Sequence, residues 1–430
     1  MIDVLWLLIL ASYIVLGAAA VPFHGDESTL IYMSRDYYDH FIDAGPDALA
    51  YRDPPPDGDY ATRQELRLLN GTVSPYLYGL AGHVSGFTAA DLNIQWDWGA
   101  GWTYNRDNGH MPPDGLLLAT RTASALVMSL GVVAMFGIGL SIDNRLTAYA
   151  ASALYALNPA LLLHGRRAMM EGDLMAFSLL AVLAAIFLSR HRHIGWAAML
   201  ALATAMAVNS KHSGALTIGL IFLALGMTLL WDARRNRSIR RVMVDLGMLV
   251  GAGVFGLVLF VILNPAWWGD PVARAQTVLG LRSDFIANQI SAFGSYTDLP
   301  ERIGGFVQQA MGGSIMYFEI DSWASYIGDQ ITAYESSVWY GIALPGVIFA
   351  ALIGVGFWRL LCHVAGDVRG LIVIWTLGIV LVTMLLTPFE WQRYYLPAIP
   401  ALVILGGLGV TQVAVWITGR RFYSEKGPTR

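Results

Sequence analysis

The chain has 430 residues, of which 56% are hydrophobic and only 13% charged, with a formal net charge of −4. Several apolar runs reach the roughly 20 residues that cross a hydrocarbon core, which points to an integral membrane protein with helical spans and no nucleic acid partner. The single cysteine, Cys362, excludes an intrachain disulfide and a multi-cysteine metal cage.

Hydropathy predicts ten spans, at about 4–21, 116–140, 146–163, 174–189, 194–209, 214–231, 243–263, 336–358, 370–387 and 396–418. The third and fifth are the weakest, being short and rich in alanine. Segment 4–21 lacks a basic leader, and Val21-Pro22-Phe23 is a poor cleavage site, so it reads as a retained first span. With the N-terminus inside, the short inner loops hold Arg145, Arg190, Arg192, Arg234, Arg235, Arg237, Arg240, Arg241, Arg359, Arg369, Arg420, Arg421, Lys426 and Arg430. Lysine and arginine bias in short loops sets orientation, so both termini are expected to be cytoplasmic.

The whole chain, 1–430, reads as one membrane domain with two long extracytoplasmic loops, 22–115 and 264–335. Both mix Pro, Gly and Asp with aromatics such as Trp96, Trp98, Trp102, Trp267 and Trp323. Ordered loops of that length usually carry function. Segment 28–43 spaces its apolar residues as an amphipathic helix for the membrane surface. Asn70-Gly71-Thr72 fits a glycosylation sequon but reads better as a turn.

Sorting by face gathers the unusual groups on the outer side. Asp26-Glu27 follows the first span and Arg121 opens the second. His164-Gly165-Arg166-Arg167 precedes Glu171 and Asp173, Lys211-His212 separates spans five and six, and Arg393-Tyr394-Tyr395 precedes the last span. Lys211 is one of two lysines, and it stands on the side that the positive-inside bias disfavours. Cations placed against that bias suggest an anion to be held, and the carboxylates suggest a general base. Blander readings stand beside these. Asp26-Glu27 caps a helix, Arg166 and Arg167 snorkel or pair with Glu171 and Asp173, Arg393 anchors the interface, and the tryptophans form an aromatic belt. His24 and His212 have no second ligand at metal spacing, so no metal site is expected.

This ordered series resembles the membrane-embedded glycosyltransferases of the GT-C class, nearest to protein O-mannosyltransferases and aminoarabinose transferases. It comprises Asp26-Glu27, Arg121, Arg167-Ala168-Met169-Met170-Glu171, Asn209-Ser210-Lys211-His212 and Arg393-Tyr394-Tyr395-Leu396-Pro397. The resemblance implies an all-α membrane fold of about ten transmembrane helices and inverting transfer of a hexose or pentose, mannose-type favoured. The donor would be a polyprenyl-phosphate sugar, with no further cofactor, and the acceptor a hydroxyl on a protein, lipid or glycan. It implies Asp26 as base, Glu27 as a positioning acid, Glu171 as the second outer-loop acid, and Arg121, Lys211 and Arg393 as holders of the carrier phosphate. His24, Arg167, His212 and Tyr394 would be accessory groups. The expected location is the plasma membrane, with the site extracytoplasmic. A lipid-linked-sugar flippase or a non-catalytic assembly partner would share the composition, but charges gathered on one face and the lack of a repeat favour the transferase.

Overall fold

The computed structural model describes residues 1–236, 239–312, 315–364 and 366–419. Of the inner cations named above, Arg237, Arg420, Arg421, Lys426 and Arg430 lie outside them. In chain order the principal helices are α1 (Ile2–Leu16), α2 (Gly25–Met33), α3 (Gly58–Leu69), α4 (Val73–Val84), α5 (Asp114–Ile142), α6 (Arg145–Leu157), α7 (Pro159–Arg166) and α8 (Glu171–His191). They continue as α9 (Ile194–Ser210), α10 (Gly214–Asn236), α11 (Ile239–Ile262), α12 (Pro271–Phe293), α13 (Leu299–Met311), α14 (Gly346–His363), α15 (Gly366–Leu386) and α16 (Ile399–Thr418). No strand occurs among the described residues. Helices satisfy their own backbone, which is what a bilayer demands.

Eight of these helices are long and apolar enough to cross a membrane, or nine when the bent pair α6–α7 counts as one span. The chain is a multi-pass membrane protein. Residues 194–209, expected as a span, form α9, whose 17 residues fall short of the 18 in α14 and of the 19 that α1 reaches with the turn Gly17–Ala20. The expected span 336–358 starts ten residues later than anticipated, at Gly346, because 336–345 form turns that end in Pro345. The bend of 59° between α6 and α7 has a local cause. Pro159 has no N–H to give, and the Asn158 side chain accepts the Leu161 N–H at 3.0 Å instead.

Burial separates the centre of the bundle from its lipid-facing rim. Buried residues make up 89% of the apolar stretch of α8 but only 22% in α1, α11 and α14. The central helix α8 packs on α5 and α9, while α16 packs on α6 and α14. Close approach there depends on small residues, as usual where lipid gives no hydrophobic drive between helices. A Cβ on Gly356 of α14 would overlap the Leu405 carbonyl of α16. Arg359 is committed to Asp143 at 2.8 and 3.0 Å, and Arg192 to Asp245 at 2.8 Å.

The first long loop is largely helical and packed. Residues 28–33, expected on the membrane surface, are instead buried on every side in α2, which packs against α4 and α5. Arg67 of α3 grips Asp36 with two hydrogen bonds of 2.7 and 2.8 Å and ties the loop to itself. Asn70-Gly71-Thr72 is the turn between α3 and α4, pressed on the end of α9, where a Cβ on Gly71 would overlap the Asn209 carbonyl. We expect Gly71→Ala to destabilise the chain by about 1–3 kcal/mol through overpacking. Melting of the detergent-solubilised protein reads this directly, and an unchanged midpoint would contradict the packing. In the second loop, α12 and α13 carry the exposed apolar side chains Val272, Leu279, Phe293, Leu299, Ile303 and Val307, a composition suited to the membrane interface.

Candidate active site

The N-terminus of α2 is a capping box built on His24. Its Nδ1 accepts the Asp26 N–H at 3.1 Å, and the Glu27 carboxylate accepts the His24 N–H at 3.0 Å. With Nδ1 accepting, the neutral ring carries its proton on Nε2, which donates to Glu319 at 3.0 Å. The capping reading of the acidic pair therefore holds for Glu27. Asp26 is in the first turn of the helix, but its carboxylate points away to Arg393, which donates to it.

Glu27 is fully buried. Its two oxygens take two 2.7 Å hydrogen bonds from Arg121, and one of them also accepts the Ala168 N–H at 3.0 Å. Burial pushes this carboxyl up, but the Arg121 guanidinium outweighs it and holds the group below its usual range. Arg121 also donates to the Val21 carbonyl at 2.8 Å, so it locks α2 and the end of the first span onto α5.

Arg393 is the hub of the exposed end. It pairs with Asp26 and with Glu319 at 3.0 Å, and Glu171 is within its electrostatic reach. Burial pushes Glu319 up, but Arg393 overrides it and, with His24, holds this carboxyl far below its usual range. Lys211 donates to Glu171 at 2.8 Å. The Lys211 ammonium and the Arg393 guanidinium both stand over the Tyr394 ring, at 5.5 and 5.6 Å from its centroid. Asp26, Arg393, Tyr394, Lys211 and Glu171 thus form one continuous cluster drawn from four separate parts of the chain.

The carboxylates differ in access. Side-chain exposure is 23% for Asp26, 10% for Glu319, 3% for Glu171 and nil for Glu27. Of these four, Asp26 offers the most surface to an incoming molecule.

The other expected residues are close by. Arg167 is buried, donates to the Pro22 carbonyl at 3.0 Å, and points both terminal nitrogens at no protein acceptor, within electrostatic reach of Glu27 and Glu319. Burial lowers it to about 10. Arg166 binds the Tyr13 and Ile14 carbonyls at the end of α1, at 2.7 and 2.9 Å. Both arginines therefore point inward, and neither snorkels nor pairs with Glu171 or Asp173. Asp173 instead accepts from Ser74 at 2.6 Å. His212 packs edge-to-face against both Phe260 and Trp267, and burial, with Arg282 adding to it, lowers it to about 4. Among the described residues no group of three or more His, Cys, Asp or Glu could hold a metal ion.

Two residues escaped the sequence reading. Glu319 and Arg282 both come from the loop 264–335, where neither sits at a membrane boundary that would single it out. Arg282, on α12, is half-buried within electrostatic reach of Arg393 and Tyr394. Above this end, Trp96, Trp98, Trp102 and Trp323 join Phe318 in one aromatic cluster that ties the two long loops together.

Residues 57–268 match the model of the dolichyl-phosphate-mannose-protein mannosyltransferase family. Among solved structures, ArnT from Cupriavidus metallidurans, bound to undecaprenyl phosphate, superposes with a TM-score of 0.51 at 14% identity, over 95% of this chain and 60% of that one. The chain has the fold of the GT-C membrane enzymes. Two more distant similarities are to the Pmt1-Pmt2 protein O-mannosyltransferase complex of S. cerevisiae (15% identity, 61% of this chain and 33% of that chain, TM-score 0.43) and the oligosaccharyltransferase AglB of Archaeoglobus fulgidus (14%, 97% and 52%, TM-score 0.47). The chain spans about 60% of the length of ArnT and less of the other two. No curated protein sequence matches it significantly. The family match stops short of Asp26, Glu27, Glu319 and Arg393.

Proposed function

We propose that the chain transfers a sugar from a polyprenyl-phosphate carrier to an acceptor hydroxyl, with inversion, in a single displacement. One observation carries this reading: Asp26, the most open carboxylate of the cluster, pairs with Arg393, which shares the Tyr394 ring with Lys211. The acceptor oxygen attacks the anomeric carbon and yields its proton to Asp26. The bond from that carbon to the phosphate oxygen breaks, and the departing phosphate takes the electron pair. Negative charge grows on the phosphate, so cations already in place beside it act where they count most. Lys211 and Arg393 hold that phosphate. Glu171 orients Lys211, and Glu319 with His24 orients Arg393. Arg121 acts one step removed, through Glu27, by fixing the helix that presents Asp26.

A cavity of about 290 Å³ between α6, α13, α14 and α16 supports a lipidic carrier. Leu157, Met311, Leu344, Phe349 and Val403 line it, and it reaches Gln392, the chain neighbour of Arg393. The match to mannosyltransferases over 57–268 favours a mannose-type hexose. The acceptor is a hydroxyl on a protein, lipid or glycan. The arginine bias of the inner loops favours cytoplasmic termini and an extracytoplasmic site at the plasma membrane.

The test is release of free polyprenyl phosphate by purified protein offered a panel of polyprenyl-phosphate sugars. Lys211→Ala is expected to cut turnover by roughly 10²–10³-fold, with the loss falling on use of the donor far more than of the acceptor. Equal weakening toward both substrates would remove Lys211 from the phosphate.

A further inference from the structure

Three cations of the cluster are spent on carboxylates. Arg393 pairs with Asp26 and Glu319, Lys211 with Glu171, and Arg121 with Glu27, while Arg167 lies within electrostatic reach of both Glu27 and Glu319. Neither Arg167 nor Arg282 has a carboxylate within ion-pairing distance among the described residues, but Arg167 is fully buried whereas Arg282 keeps some open surface. Two consequences follow for the proposed reaction. A base held by a guanidinium is a poor base, because its lone pairs are engaged and its negative charge is offset. An anion arriving at the same guanidinium meets a carboxylate already there, and like charges brought together are costly.

We propose that Arg393 is an exchange cation: it neutralises Asp26 until the donor's phosphate arrives, then turns to the phosphate and frees the carboxylate. The exchange rests on the polyprenyl-phosphate reading of the site. Arg282, half-buried on the second loop and within electrostatic reach of Arg393 and Tyr394, gives the headgroup its first contact. The donor therefore binds first and unmasks the base for the acceptor. Until it does, Asp26 is not free to take a proton from a hydroxyl. The geometry suits this role. Asp26 and Glu319 reach Arg393 from different loops, so the guanidinium can give up Asp26 while Glu319 still holds its Nε side.

Binding of polyprenyl phosphate to the purified full chain separates the outcomes, with uncharged polyprenol as the reference lipid. In the parent chain the phosphate must contend with Asp26 for Arg393. Asp26→Asn should therefore bind polyprenyl phosphate more tightly, by about three- to tenfold, and bind polyprenol unchanged. Arg282→Gln should weaken the phosphate at least about threefold with polyprenol again unchanged. Equal or weaker phosphate binding by Asp26→Asn, with the parent's preference for phosphate over polyprenol intact, overturns the exchange alone. A gain that extends to polyprenol also overturns it, since charge would not be its cause. Unaltered phosphate binding by Arg282→Gln removes Arg282 from the first contact. If the parent chain shows no preference for the phosphate at all, the donor reading of the site falls as well.

Discussion

Asp26→Asn is expected to reduce sugar transfer by about 10²–10⁴-fold, the range associated with loss of a positioned general base. Asparagine keeps the shape and a hydrogen bond to Arg393, so the helix cap on His24 and the fold around it stay intact. The loss should fall on kcat, because the residue acts on a proton that moves only as the acceptor attacks. Combined with tighter binding of polyprenyl phosphate, this gives an uncommon pair of effects: a variant that holds its donor better and uses it far worse. Measuring both on one preparation is informative, since a misfolded variant would lose the two together. Near-normal turnover in native membranes would take Asp26 out of the mechanism.

The second large effect concerns stability. Arg121→Ala should cost about 3–5 kcal/mol, because it leaves Glu27 charged, buried and without its guanidinium. The thermal midpoint of the solubilised protein is the readout, and a shift no larger than that of an exposed surface arginine would contradict the pairing. A double replacement by apolar residues of similar volume, such as Glu27→Leu with Arg121→Met, should recover much of the stability, since it removes both charges together. Activity would not return if Glu27 also orders the turn that aims Asp26. The pair gives the fold an acid limit with a definite sign. The folded carboxyl of Glu27 lies below its ordinary value of 4.5, so its stabilisation is complete above that value. It is lost as pH falls further and the folded group takes up its proton. Stability should therefore decline on acidification below pH 4.5, and less steeply in the double variant.

Two chemistries thus share two adjacent residues, Asp26 and Glu27. Glu27 and Arg121 bind the first loop to the bundle, whereas Asp26 and Arg393 face the open end of the same helix. Neighbours in the chain diverge because successive side chains on a helix point about 100° apart. That angle turns one carboxylate into the core and leaves the other at the surface.

Much was open to reading before any coordinates. Apolar length marks where a chain can cross a bilayer, and it located α1, α5, α8, α10, α11, α15 and α16 within a few residues. The broken third span and the short α9 were weak in sequence for the reason that they are unusual in space: proline and alanine make them poor spanning helices. The start of α14 was misplaced because 336–345 carries aromatics and small residues that raise hydropathy without helix geometry. Segment 28–43 misled in another way. Its apolar spacing is helical, but spacing cannot say whether the polar side meets water or other protein, and α2 buries both.

Sequence alone determined that this chain is a helical membrane protein with charge gathered at one face, since the cost of burying polar groups in lipid is written directly into composition and span length. It also singled out Asp26, Lys211 and Arg393, because ionisable residues at membrane boundaries stand out against apolar runs. Only the tertiary structure decided who pairs with whom. Arg121 went to Glu27, Lys211 to Glu171 and Arg393 to Asp26 and Glu319, and Arg167 and Arg282 were left with no carboxylate within ion-pairing distance among the described residues. Such pairing depends on contacts between residues as many as 367 positions apart, set by how the helices and loops pack together, and no local pattern encodes it.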